Sequence, residues 1–424
     1  MGSNIKSLLE TTVKDRRLPG VGAFVVDATG KFILNETAGK LNLDDEQSGD
    51  LTSDTPAPIY SCTKLVTSIA ILQLVEQGKI SLSDSAEKYF PQISEIQVLE
   101  SITPAADGKP AEQKWSKPKS PPTILQLLTH TAGFSYDFFD TPTGQWRAET
   151  GRAPCGYHAV GDMEDFKTPL LAQPGTKYIY GVNIDYLGFI IQEVTGTRLP
   201  EHIEQSILKP LGMNATGAFL PKNTPRLITH LRVNGTDLVA NPAAVNNESP
   251  ALFGGGGYLY STMNDFAKLL ATILNNGTSP ETGATILKSE SVHKYLFTDH
   301  LDNSVDKSGL GEIGTCVPVL SNEGRFFPSL SVEQKGWSCA LLLNHEDLPN
   351  GRKKGSGAWA GLGNLYYWID PSSGVAGMIW TSVLPFMDPD VLYLFDQVER
   401  VAYGHEIVTD RKGLVGNHIG APKL

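Results

Sequence analysis

The chain has 424 residues and a formal charge of −11, with 40% hydrophobic and 19% charged side chains. That is an ordinary globular composition, long enough for two or three domain-sized units and a large core. The acidic balance counts against nucleic acid or an anionic membrane as a partner, because either favours a basic face.

No apolar run approaches the roughly 20 residues that cross a bilayer. The amino terminus, Met1-Gly2-Ser3-Asn4, lacks the apolar core of a signal peptide, so a cytoplasmic chain is expected. The four cysteines (Cys62, Cys155, Cys316, Cys339) are scattered without a C-x-x-C pair, which suits reduced thiols better than a disulfide or zinc framework. Without a His-Glu-x-x-His motif either, no metal and no cofactor is expected.

Along the chain, Val21 to Val26 and Phe32 to Leu34 read as strands joined by a hairpin turn at Asp27-Ala28-Thr29-Gly30. An extended Ala57-Pro58-Ile59-Tyr60 segment then runs through Ser61-Cys62-Thr63-Lys64 into an apolar stretch, Leu65 to Val75, that stops at Gly78. Residues three apart share a helix face, so Lys64 would sit one turn below Ser61 and could take its hydroxyl proton. The serine would lie at the helix entrance, where unpaired N–H groups favour negative charge.

Six other Ser-x-x-Lys matches exist, at Ser3/Lys6, Ser85/Lys88, Ser116/Lys119, Ser206/Lys209, Ser291/Lys294 and Ser304/Lys307. Only Ser61 opens a segment that is apolar nearly all round with a glycine stop, as a buried helix should be. On that segment alone, an activated nucleophile and an N-cap serine followed by a solvated lysine both remain open.

From Leu82 to about Arg325 the chain alternates helical stretches (Thr123 to His130, Asn183 to Thr195, Arg198 to Leu208, Met263 to Asn275) with long loops. The polar run Thr103 to Pro122 reads as a surface insertion. Tyr178 and Tyr180 follow the Pro174-Gly175 turn, where a phenol can point into a cleft. Either would need a cationic neighbour such as Lys64 to act as a base at neutral pH, and a packed aromatic is the commoner fate of a lone tyrosine.

Strand signals return at Ser338 to Leu343, Leu365 to Ile369 and Val375 to Thr381, with a turn at Asp370 to Gly374 and a helix from Pro389 to Ala402. Between them, Gly355 to Asn364 reads as a glycine loop that admits close backbone approach. Arg352-Lys353-Lys354, the one short basic run, reads as a solvated loop. Strands at both chain ends suggest a discontinuous α/β domain (residues 1–83 and 326–424) holding a mostly helical one (84–325), with a pocket in the cleft between them.

Six segments in order resemble the serine β-lactamase-like family of class C β-lactamases, D,D-peptidases, carboxylesterases and fungal acyltransferases. They are Ser61-Cys62-Thr63-Lys64, Leu127 to Gly133 (Leu-Leu-Thr-His-Thr-Ala-Gly), Pro174 to Tyr180, Pro210-Leu211-Gly212-Met213, Gly254 to Gly257 with Ser261-Thr262-Met263, and Trp359-Ala360-Gly361. The resemblance implies a β-lactamase/transpeptidase-like fold, an antiparallel sheet flanked by helices with a mostly helical insertion. It also implies Ser61 as nucleophile, Lys64 and Tyr180 as proton carriers (Tyr178 as the fallback), and backbone N–H groups of Ser61 and Leu362 as the oxyanion hole. Trp359, Ala360 and Gly361 would bind substrate, His130 would be scaffold, and Cys62 packing.

Two departures from the lactamase branch stand out. Tyr180-Gly181-Val182 replaces Tyr-x-Asn, and Trp359-Ala360-Gly361 replaces Lys-Thr-Gly. Both point away from β-lactams and peptidoglycan and resemble esterases and the fungal transesterases that acylate polyketide-type alcohols. The expected activity is therefore acyl transfer from an ester or thioester to an alcohol, with ester hydrolysis as the alternative. A β-lactamase or D,D-peptidase, or a non-catalytic binding protein of this fold, stands further back. An acyl-carrier domain or coenzyme A could deliver the donor, Arg352 to Lys354 then meeting a phosphate. No Gly-x-Ser-x-Gly elbow is present, which argues against an α/β-hydrolase.

Overall fold

The computed structural model describes residues 2–409 apart from Arg16, 104–110, 153–159, Thr236, 242–249, Ala251 and Pro328. The first hairpin forms as the sequence predicts. β1 (Gly20–Asp27) pairs antiparallel with β2 (Phe32–Gly39), and Gly30 takes φ +82° in the turn, a conformation that suits glycine. The remaining strands of the same sheet come from the far end of the chain: β3 (Lys335–Trp337), β4 (Leu342–Asn344), β5 (Gly357–Gly361), β6 (Leu365–Asp370) and β7 (Val375–Trp380). The order is β3-β4-β5-β6-β7-β1-β2, antiparallel throughout.

Helices cover both faces of this sheet. Successive strand residues point to opposite sides, and in β6 Tyr367 meets Phe266 at 5.4 Å between ring centroids whereas Trp368 meets Phe395 at 5.7 Å. Five helices frame the molecule: α1 (Gly2–Lys14), α2 (Thr63–Glu76), α3 (Asn183–Thr195), α4 (Met263–Leu274) and α5 (Pro389–Ala402). Phe266 belongs to α4 and Phe395 to α5. Met263 lies so close to β1 that a side chain at Gly22 would strike its sulfur at 2.4 Å. Thus α4, although inside residues 84–325, packs on the large sheet. Helix α2 is buried over most of its length, as an apolar surface all round requires, and Gly78 follows it at φ +69°.

Several elements differ from the sequence reading. Ser338 to Leu343 is not one strand, because Ser338 N–H donates to the Leu341 carbonyl and its Oγ accepts from Ala340 and Leu341, turning the chain between β3 and β4. The glycine segment before β6 contains a strand of its own, β5, with all five residues buried. The polar run after Thr103, read as a surface insertion, contains a strand. Glu112–Ser116 pairs with Val98–Thr103, while residues 104–110 lie outside the described residues, as does Cys155. Cys62, Cys316 and Cys339 are free thiols. Among the described residues no helix is long and apolar enough to cross a membrane.

The basic run also divides. Arg352 is fully buried rather than solvated, paired with buried Glu399 and lying 4.8 Å from the Phe327 ring, whereas Lys353 and Lys354 are exposed. Asn350 Nδ2 also donates to Glu399 (2.5 Å). Glu399→Ala would strand the guanidinium in the core, so we expect about 3–5 kcal/mol of lost stability, read as a lower urea midpoint at unchanged slope.

Candidate active site

Two short strand residues fix the approach to Ser61: Ala57 and Pro58 pair with Ser261 and Tyr260. The next residues form one tight turn, Tyr60–Cys62, that runs directly into α2. Tyr60 has φ +46°, a left-handed conformation that a bulky residue holds only when its surroundings impose it. Its hydroxyl is tied to Thr229 Oγ1 (2.9 Å), which meets Ser382 Oγ (2.9 Å). The half-buried Ser61 side chain therefore stands on a strained, anchored turn at a helix entrance.

Lys64, one turn on, is 2% exposed. Its Nζ donates to Ser61 Oγ (3.0 Å), Tyr136 Oη (3.0 Å) and the Gly256 carbonyl (2.9 Å), three acceptors for three protons. The ammonium also lies 5.0 Å from the ring centroid of Tyr180 and 5.2 Å from that of Tyr136. Ser61 and Lys64 are thus brought together as the spacing implies. The phenol oxygen that meets the lysine is Tyr136's, and Tyr180 meets it through its ring. Tyr136 went unread in the sequence; its only cue is that it follows Thr129-His130-Thr131-Ala132-Gly133 by three residues.

Asp185, in the first turn of α3, completes this inner network. Its Oδ1 accepts from Gly256 N–H (3.0 Å) and its Oδ2 from Tyr136 Oη (3.5 Å). Burial pushes the carboxyl above its ordinary range, against the opposing pull of Lys64. The glycine run gains a physical reason here. A side chain at Gly254 would meet Asp185 Oδ1 at 2.2 Å, and one at Gly256 would meet Asp185 Oδ2 at 2.8 Å and Lys64 Nζ at 3.0 Å.

Tyr180 Oη accepts from Trp359 Nε1 (3.2 Å), and the phenol ring lies 4.7 Å from His130. His130 is buried, with Asn183 Nδ2 3.0 Å from its Nδ1. Burial holds the imidazole well below its usual range. A neutral, enclosed ring packed on Tyr180 fits the scaffold role. Tyr178, the fallback, is buried with its hydroxyl pushed well above 10 and packs on Trp337 at 5.4 Å; no hydrogen bond joins it to Lys64. Burial likewise pushes the Cys62 thiol up, keeping it protonated.

Leu362 lies in the turn between β5 and β6. The glycines flanking it face the nucleophile's own turn, since side chains there would strike the Ile59 carbonyl (2.5 Å, at Gly361) and the Tyr60 ring (2.7 Å, at Gly363). Ala360 is buried within β5. Trp359 and Tyr180 border an open cleft of ≈ 390 Å³, walled further by Phe139 and Phe326, with Asp140, Lys177 and Glu312 as charged members. Burial raises the Asp140 carboxyl against the opposing charge of Lys177. Among the described residues no group of His, Cys, Asp and Glu is arranged to hold a metal ion.

A family model described as Beta-lactamase matches residues 5–396. The chain is 24% identical to ML-236A carboxylate methylbutanoyltransferase of Penicillium citrinum, over 95% of this chain and 94% of that protein. It is 28% identical to lovastatin esterase of Penicillium rubens, over 90% and 93%. Unliganded simvastatin synthase from Aspergillus terreus superimposes with a TM-score of 0.78 at 22% identity, covering 95% of this chain and 98% of that one, a likeness of fold.

Proposed function

The chain belongs to the β-lactamase family and is an enzyme, and from that premise we propose that it transfers an acyl group through an acyl-enzyme on Ser61. The donor is an ester or thioester and the acceptor an alcohol of a small polyketide-like metabolite. One contact carries the reading: a buried lysine nitrogen 3.0 Å from a serine hydroxyl that opens a helix.

Ser61 Oγ attacks the acyl carbonyl carbon while its proton passes to Lys64, which must be neutral at that moment. Backbone N–H groups of Ser61 and Leu362 hold the tetrahedral oxyanion, at about 3 kcal/mol per donor. Collapse breaks the bond to the leaving alkoxide or thiolate, which leaves with a proton from Tyr180 or Lys64. The acceptor alcohol then attacks the Ser61 ester, gives up its proton to the same relay, and Ser61 recovers its own. Trp359, Ala360 and Gly361 wall the acyl group. Water in place of the alcohol gives hydrolysis, the second reading, which the likeness to lovastatin esterase favours.

An acyl-carrier domain or coenzyme A is a candidate carrier of the donor. With Arg352 engaged by Glu399, any phosphate contact there falls to Lys353 and Lys354. The reading is tested with short acyl thioesters, by intact mass and by product analysis with and without bulky secondary alcohols. We expect an adduct on Ser61 and, with at least one alcohol, transfer faster than hydrolysis. Hydrolysis at the same rate with every alcohol selects the esterase; no adduct and no turnover rejects both.

A further inference from the structure

Two of the three acceptors of Lys64 are tied to one carboxylate. Gly256 gives its carbonyl to Lys64 (2.9 Å) and its N–H to Asp185 (3.0 Å). Tyr136 Oη receives a proton from Lys64 (3.0 Å) and faces Asp185 Oδ2 (3.5 Å). A hydroxyl that accepts from an ammonium must send its own hydrogen elsewhere, and Asp185 is an acceptor placed to take it. The third acceptor is Ser61 itself.

Asp185 is 4% exposed, and no lysine, arginine or histidine nitrogen forms an ion pair with it among the described residues. An asparagine could accept from Gly256 N–H but would turn an amide donor toward Tyr136 Oη, so only a carboxylate accepts in both contacts. The aspartate is thus a double acceptor and a negative charge, one intervening group from the lysine on both sides. The titratable groups facing it are Lys64 from α2 and Tyr136 from the loop after Gly133; the Gly254–Gly256 strip and Phe166, which close its other sides, bring none.

We propose that Asp185 is a positioning residue for Lys64, acting through Tyr136 and Gly256 to hold the amine on Ser61 and to balance its charge while it carries the proton. This rests on Lys64 being the proton carrier of an acylating Ser61. A released, uncompensated lysine is both misplaced and a weaker base. Removing the negative charge disfavours the protonated relay through which acylation passes, so the acid limb of the acylation rate moves to lower pH, while the plateau falls because the amine is less well aimed.

The test is the rate of acyl-enzyme formation from p-nitrophenyl acetate across about pH 5 to 9, for the parent protein, Asp185→Asn and Tyr136→Phe, with thermal unfolding of each. We expect Asp185→Asn to lower the plateau about 30-fold and to move the acid limb down by about one pH unit. Tyr136→Phe should move the limb the same way, and the double variant should be little slower than Asp185→Asn alone. A merely structural Asp185 would lower the plateau or the unfolding temperature and leave the limb where it was, and that result overturns the proposal. Should Asp185→Asn not fold, Asp185→Ser, which also removes the charge, decides by the same criterion. A fluorophosphonate separates the two levels: no labelling of Ser61 in the parent protein rejects the acyl-enzyme reading and this inference with it, whereas labelling with unmoved limbs in the variants rejects this inference alone.

Discussion

Ser61→Ala is expected to take acyl-enzyme formation to background, a loss on the order of 10⁶ as for other serine nucleophiles, with thermal unfolding close to that of the parent protein. The substitution deletes one half-buried oxygen. Lys64 keeps Tyr136 and Gly256 as acceptors, so the buried ammonium is not stranded. The turn conformation is fixed by Tyr60, Thr229 and the pairing with Tyr260–Ser261, none of which involves the serine hydroxyl. Intact mass after incubation with an activated ester reads the result, and a stoichiometric adduct on the alanine variant would remove Ser61 from the mechanism. Lys64→Met supplies the complementary case. It keeps the volume and the nucleophile, removes the proton carrier, and should leave slow acylation about 10²–10⁴-fold below the parent rate.

The elements that announce themselves in this sequence are those whose burial is complete and whose ends are marked. Helix α2 is apolar on every side and closes before Gly78; α3 ends at Gly196 with φ +65°, where the pattern places its end. The hairpin of β1 and β2 is read from one turn. The short strands are less legible, because a strand of three to five residues is specified by its neighbours rather than by its own alternation. Trp359-Ala360-Gly361 looks like loop on composition, yet its three residues pair with Tyr367, Tyr366 and Leu365 of β6 and are buried, with a glycine where a side chain would strike the Ile59 carbonyl. Helix α1 left a cue that went unread: Ile5 and Leu9 are four residues apart and both buried.

The same distinction holds within the site. Ser61 and Lys64 are a local pair, one helical turn apart, and local pairs can be read from spacing. The partners of Lys64 at Tyr136 and Gly256 are 72 and 192 residues away, and Asp185 reaches Gly256 across 71. Packing alone assembles them, so no periodicity marks them. The left-handed turn at Tyr60 is likewise silent, and the hydroxyl that meets its phenol is 169 residues on.

Tyr180→Phe should discriminate between substrates more than it slows any one of them. Tyr180 Oη accepts the indole hydrogen of Trp359, and among the described residues nothing accepts its own hydrogen. That hydrogen is available to the cleft the phenol borders, where a departing alkoxide would need it. Alkyl esters should therefore lose about 10²–10⁴-fold in acylation rate, while p-nitrophenyl esters, whose phenolate leaves unprotonated, should lose only a few-fold. The ratio of the two rates is the measurement, because loss of the Trp359 contact alone would slow both substrates alike. Trp359→Phe is the control: it removes the indole donor, keeps the Tyr180 hydroxyl, and should leave the leaving-group dependence unchanged. Equal losses for alkyl and p-nitrophenyl esters in Tyr180→Phe would instead give Tyr180 a packing role and leave protonation of the leaving group to Lys64, the amine already within 3.0 Å of Ser61.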